Sequence, residues 1–397
     1  MKKTLKCFLV SFLTEMVLFF FGPYQYKIYS IEGFLYFIVC NIIFALGIAV
    51  VSKNNDMETT AIWVNEKTIC LFSIIGLFFS AVFIIETYNQ LGGILFSGQN
   101  QTDMLSNNRT MLSRISEIMI ESGTVAFLAI PDETKISRRT RAVASLAFWI
   151  KPVISLILGV RWRFCVSVVL FFVKTRKKVA KLTTELVIKY LIYGCGFLVG
   201  GAYILILFAS RGNLSAFNYH FVADDDMKLR NLWLSLYETF PLCGPIIKLF
   251  AYISHSPMVF AYTYLYKRPR KLYFGSYMLR IIGYFLRSLG VSFPEYKTII
   301  ANSYTGAYTG FVYGFIIDFG VFLTPIVVFF LGIIIGIIEK YKNKNILAYL
   351  MYPLCICMSI FAPYYYFPHV GSVDFMIPII IIYCGVNKIV CRGKSNK

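Results

Sequence analysis

Long apolar runs separated by short polar joints set the pattern of this chain. A run of about twenty apolar residues is long enough to cross a bilayer as a helix. On that rule roughly ten runs qualify, at about 5–22, 31–51, 69–86, 115–131, 142–159, 163–173, 186–209, 319–338, 346–362 and 372–391. The fourth carries Glu117 and Glu121, and the sixth is short with a basic end. The pattern predicts an all-α, polytopic membrane protein in three parts. Residues 1–209 form an N-terminal membrane bundle of about seven spans, 210–318 a long loop, and 319–397 a C-terminal bundle of about three.

Composition agrees with that reading. Of the 397 residues, 58% are hydrophobic and 17% aromatic, and the mean hydropathy is +0.67. This is a membrane composition, with aromatic residues enough for interfacial belts. The net charge of +19 therefore points to basic cytoplasmic loops and anionic lipids or substrates, with no nucleic acid implied. Most of the ten cysteines lie inside apolar runs, and Cys243 alone falls in the long loop, so they read as small packing residues. The start, with Lys2, Lys3 and Lys6, resembles a signal sequence but has no small-x-small cleavage pattern, which predicts a retained first span.

Charge sets the expected orientation. With Lys2, Lys3 and Lys6 inside, the joints around Lys53, Arg138, Lys177 and Lys342 and the tail from Lys388 also fall inside. Both termini are then cytoplasmic, and 210–318 lies outside with His220, His255 and an acidic triplet, Asp224, Asp225 and Asp226. The three histidines show no metal spacing, so no metal is expected. A nucleotide-phosphate loop, a dinucleotide fingerprint and an HExxH pair are all missing from the sequence, which argues against an ATP-driven pump, a dinucleotide enzyme and a zinc protease.

Five stretches carry candidate chemistry. In the first, Arg114, Glu117 and Glu121 share a helical face where a joint becomes a span, forming either the polar wall of a site or a local salt-bridged helix start. In the second, Gly159-Val160-Arg161-Trp162-Arg163 fills a tight turn whose guanidiniums either grip a phosphate or snorkel to lipid head groups. Arg211-Gly212, one step past a span, leaves the same two options. The stretch 271–289 places Tyr273, Tyr277, Arg280, Tyr284 and Arg287 on one stripe and apolar residues on the other, which predicts an interfacial amphipathic helix. Last, Asn302, Ser303, Tyr304 and Thr305 form a hydroxyl-rich entry suited to sugars. Asp318 follows, and it either caps a helix N-terminus or serves as a buried carboxylate in proton transfer or in orienting an arginine.

Asn302-Ser303-Tyr304-Thr305, then Tyr313, Asp318-Phe319-Gly320 and Gly332 together resemble the O-antigen polymerases, the bacterial oligosaccharide repeat-unit polymerases of the Wzy class. Arg211-Gly212, the Gly159-x-Arg161 turn and the layout of ten or so spans with one large late loop are similar too. The motifs are short, and Arg161 and Arg163 compete for one position. The resemblance implies a GT-C-like glycosyltransferase of the bacterial inner membrane with one large periplasmic loop. It would move a growing glycan from undecaprenyl pyrophosphate onto a lipid-linked repeat unit, without metal, nucleotide sugar or other cofactor. It implies a chain-length regulator and a flippase as partners, and points to Arg211 and Arg161 as functional.

The chemistry of such a transfer agrees with the residues. A pyrophosphate leaving group needs cations, for which Arg161, Arg163, Arg211 and Arg280 are available beside Arg114. The acceptor hydroxyl needs a base, drawn from Glu117, Glu121 and Asp318, with Asn302 and Tyr304 binding sugar. An O-antigen ligase shares the donor and the layout. A lipid-linked oligosaccharide flippase or transporter is the non-enzymatic alternative, although the sequence shows no paired broken halves.

Overall fold

In the computed structural model the chain is mostly helical. Described are residues 1–51, 64–90, 110–131, 136–157, 161–175, 221–223, 225–269, 271–278, 283, 286–287, 289–294, 298–299, 310–366 and 373–395, without the side chains of 161, 162, 242 and 392–395. Among the described residues six helices are long and apolar enough to cross a membrane. They are α1 (Lys3–Phe21), α2 (Ile31–Val50), α3 (Glu66–Gln90), α6 (Arg138–Ile157), α11 (Gly310–Tyr341) and α13 (Val373–Ser395). Between them lie the shorter α4 (Met111–Met119), α5 (Glu121–Ala129), α7 (Arg161–Thr175), α8 (Asn231–Thr239), α9 (Gly244–Ser254), α10 (Ser256–Tyr266) and α12 (Ile346–Phe361). The expected spans within the described residues all fall on helices; the run at 186–209 lies outside them.

Lipid, and not water, explains the outer surface. On α11, Phe322, Ile326, Phe330, Ile334 and Ile337 repeat at about one-turn spacing and stay exposed, Phe322 at 93%. Val10, Leu13 and Val17 do the same on α1. Apolar stripes on this scale suit hydrocarbon, where helices satisfy their own backbone groups.

Helix ends are fixed by the side chains the sequence supplies. Glu339, near the end of α11, accepts the amides of Lys3 at 2.8 Å and Thr4 at 3.1 Å, opposing the α1 dipole. Ser30, Thr110 and Asn345 cap α2, α4 and α12. Interiors are closed by small residues. A Cβ on Gly332 would run into the Phe44 carbonyl and Gly47, so α2 and α11 cross backbone to backbone. A Cβ on Gly76 would meet the Gly123 amide nitrogen at 2.5 Å, and one on Gly123 would meet Ala147, so α5 passes tightly between α3 and α6.

The core is aromatic. Phe8, Phe37, Phe44, Phe260 and Phe311 bring together α1, α2, α10 and α11. A second cluster joins Phe19, Tyr24, Tyr26, Ile247 and Met258. There the all-α expectation has, among the described residues, one exception, a two-stranded antiparallel ribbon of β1 (Tyr24–Tyr26) and β2 (Met227–Leu229), with Tyr24 opposite Leu229. It ties the α1–α2 connection to the long segment. The apolar α9 and α10 of that segment pack on α1 and α2, and their aromatic side chains join the bundle core.

Two local expectations change. Residues 274–278 form turns with Phe274 at φ 44° and Gly275 at φ 88°, and no amphipathic helix starts there. The helix at 310–341 is two segments broken at Gly320, whose φ of 70° suits glycine. Pro325 leaves the Val321 carbonyl without a helical amide donor, and Tyr36 donates to it at 2.6 Å, while Thr324 donates to the Gly320 carbonyl at 2.6 Å.

Candidate functional site

The first two candidate stretches meet. α4 and α5 are interrupted at Ile120 yet keep Glu117 and Glu121 turned toward α6 and α7. Glu117 accepts from Arg163 of α7, and Glu121 pairs with Lys151 of α6. Thr124 also donates to Glu121, at 3.1 Å. The Glu117 pairing spans 46 residues, so this is no local helix-start bridge.

The four groups are largely closed to solvent. Side-chain exposure is 4% for Lys151 and 0% for Glu121, against 17% for Arg163. Arg163, Glu117 and Asp374, in the first turn of α13, all lie close enough to act on Lys151 electrostatically. Five elements thus bring their charged groups to one place. Charges at membrane depth persist when each meets an opposite charge, and they commonly line a pathway or a site. Arg163 is the most open of the four.

Arg114 lies on the same short helix as Glu117 and is partly buried. Lys151 and Asp374 were missed by sequence reasoning. Lys151 was a detectable signal, a cation in the middle of the apolar run before Pro152. Of Arg161 the backbone alone is described, as the first residue of α7. Arg211, Arg280, Asn302 and Tyr304 lie outside the described residues, as do His220, Asp224 and His369.

Asp318 sits apart from this cluster. It is fully buried, and its two carboxylate oxygens accept the amides of Tyr277 at 2.8 Å and Met278 at 2.9 Å. Its carbonyl accepts the Phe274 amide at 2.8 Å. Asp318 thus fastens the 274–278 turn to α11 just before the break, and caps that turn instead of a helix N-terminus. The Tyr277 ring lies tilted against that of Tyr366, with centroids 5.0 Å apart, and Tyr366 in turn meets Phe315 edge-on.

The acidic triplet and His255 have local roles. Asp226 accepts the amides of Phe221 and Val222 at 2.7 Å, and Asp225 forms an exposed 2.5 Å pair with Lys27 that holds its carboxyl below the usual range. His255, between α9 and α10, is buried against Phe221 with ring centroids 3.7 Å apart. Burial pushes its pKa down to about 3, so the ring is neutral near pH 7. Among the described residues no group of three His, Cys, Asp or Glu could hold a metal ion, and the described cysteines are free thiols. No protein-family model, curated protein or solved structure matches the chain.

Proposed function

We propose that the protein is an O-antigen polymerase-type glycosyltransferase of the bacterial inner membrane. The observation that carries this reading is the Glu117–Arg163 pair, a partly open guanidinium held by a buried carboxylate at the start of α7. The reading includes ten spans, both termini in the cytoplasm and the 210–318 segment in the periplasm. The basic joints support that orientation.

In the proposed reaction the acceptor hydroxyl oxygen attacks the anomeric carbon of the donor glycan. The bond from that carbon to the pyrophosphate oxygen breaks, and the leaving group keeps the electron pair. Arg163 faces the developing charge, with Arg161, Arg211 and Arg280 as further cations and Arg114 nearby. Glu117 orients Arg163. The hydroxyl proton passes to a carboxylate, drawn from Glu117, Glu121 and Asp318. Asp318 has both oxygens on backbone amides and Glu121 is closed off with Lys151, while Glu117 is the carboxylate that lies beside the partly open Arg163. Asn302 and Tyr304 bind sugar, and a chain-length regulator and a flippase are the partners.

A lipid-linked oligosaccharide flippase or transporter is the second reading, favoured by the break of α11 at Gly320 beside the buried Asp318. A lipopolysaccharide gel from a strain deleted for the gene, beside its complemented parent, tests the choice. A ladder that collapses to core plus a single repeat unit supports the polymerase. Core without any repeat unit points to the flippase or to an O-antigen ligase, and an unchanged ladder removes the glycan reading.

A further inference from the structure

Glu15 of α1 is a buried carboxyl that the proposed reaction does not use. Its exposure is 0%, and neither oxygen has a hydrogen-bond partner among the described residues. No Lys, Arg or His forms an ion pair with it among those residues. It faces a seam of hydroxyls where α1 meets β1, the α9–α10 junction and the end of α12. Ser256 lies beside it, with Tyr26 and Tyr364 within electrostatic reach.

Those hydroxyls already donate elsewhere. Ser256 donates to the Tyr364 carbonyl at 3.1 Å, and Tyr364 to the Ser11 carbonyl at 2.9 Å. Ser11 also donates to Tyr364 Oη at 2.6 Å, Tyr26 pairs with Ser254 at 2.8 Å, and Ser254 Oγ donates to the Phe250 carbonyl at 2.7 Å. The surrounding elements also carry Lys3, Lys6 and Cys7 on α1, Tyr24 on β1, Lys248 and Tyr252 on α9, His255 at the junction, Tyr262, Tyr264 and Tyr266 on α10, and Tyr349, Tyr352, Cys355 and Cys357 on α12. At the far end of α1, Lys2 donates to the Ile48 carbonyl and Glu339 accepts the Lys3 and Thr4 amides. His255 is turned to the Ala251 carbonyl and the Phe221 ring. An ionised carboxylate without a countercharge at this depth is very costly, whereas the neutral acid brings its own hydrogen-bond donor.

We propose that Glu15 is a proton-binding site of the membrane bundle, occupied while α1, α10 and the end of α12 are packed and exchanging when they part. The Ser256–Tyr364–Ser11 chain joins these three elements, so loading of the site and closure of the seam are one event. This inference stands independently of the glycan reading.

The test uses the full-length protein in membrane vesicles. Infrared difference spectra of the wild type minus Glu15→Gln are recorded near neutral pH. In parallel, vesicles are treated with dicyclohexylcarbodiimide and Glu15 is read by mass spectrometry. The acid O–H adds across one C=N bond of the reagent, its oxygen to carbon and its proton to nitrogen, and the adduct rearranges to a stable N-acylurea. Glu15→Gln is shaped like the neutral acid and is expected to fold. A protonated-carboxyl band lost in the variant, with labelling equal in sodium and choline chloride, supports the proposal. A missing band overturns it, whatever the labelling. Saturable protection by sodium also overturns it, and makes the seam a sodium site.

Discussion

Lys151 of α6 and Glu121 of α5 form an ion pair closed to solvent, 30 residues apart in sequence, with Thr124 donating to the same carboxylate. Removing one partner leaves the other charge buried without its direct countercharge, Lys151 keeping only the more distant Glu117 and Asp374, and losses of this kind reach about 3–5 kcal/mol. Glu121→Gln or Lys151→Met is therefore expected to lower thermal stability in detergent steeply. The double variant Glu121→Leu with Lys151→Met should recover most of the loss. A double variant no better than the worse single one would contradict this account of the pair.

The neighbouring pair separates stability from chemistry. Arg163→Ala should shorten the polymer strongly, beyond any fall in protein level, since one lost transition-state donor costs about 10²- to 10³-fold in rate. Exchanging the partners, Glu117→Arg with Arg163→Glu, should restore the fold and leave activity low. Full polymer length in the exchanged variant would reduce the pair to a structural bridge.

For Asp318, loss of the side chain strands two buried amides at about 1–3 kcal/mol each. Asp318→Ala is expected to lower the melting temperature and expose the 274–278 turn to protease. Asp318→Asn should retain measurable polymer. A fully stable Asp318→Asn that makes no polymer would assign the carboxylate to the reaction.

His255 gives a pH dependence whose sign follows from its pKa, lowered from 6.5 to about 3 by burial. Below pH 6.5 the unfolded chain takes up a proton that the folded one refuses. This contribution to stability is therefore whole above pH 6.5 and is lost as the pH falls toward 3, by about 1.4 kcal/mol per unit. His255→Phe, which keeps the stacking on Phe221, should flatten the acid limb of a thermal-shift profile. An unchanged limb would contradict the burial account.

Much of the fold was legible because one rule governs it. Apolar runs of bilayer length become helices, and α1, α2, α3, α6, α11 and α13 follow directly. Broken elements were harder to read. The turn at 274–278 has a helical stripe, but Phe274 and Gly275 with positive φ and the grip of Asp318 override that periodicity. Of the site, Glu117, Glu121 and Arg163 were legible as charges near membrane depth. Their pairing was not, because the partners come from elements whose contact depends on the Gly76–Gly123–Ala147 crossing. Lys151 and Glu15 were overlooked for a common reason: single charges inside apolar runs scarcely alter a hydropathy profile.

The central claim is transfer of glycan between polyprenol-linked donors and acceptors, and reconstitution tests it most directly. The purified protein is placed in liposomes with an undecaprenyl-pyrophosphate-linked repeat unit, and the products are resolved by size. The account predicts chains longer than one unit with release of undecaprenyl pyrophosphate, both suppressed by Arg163→Ala. Unextended substrate in the presence of well-folded wild-type protein, across the repeat units of several bacteria, would contradict it.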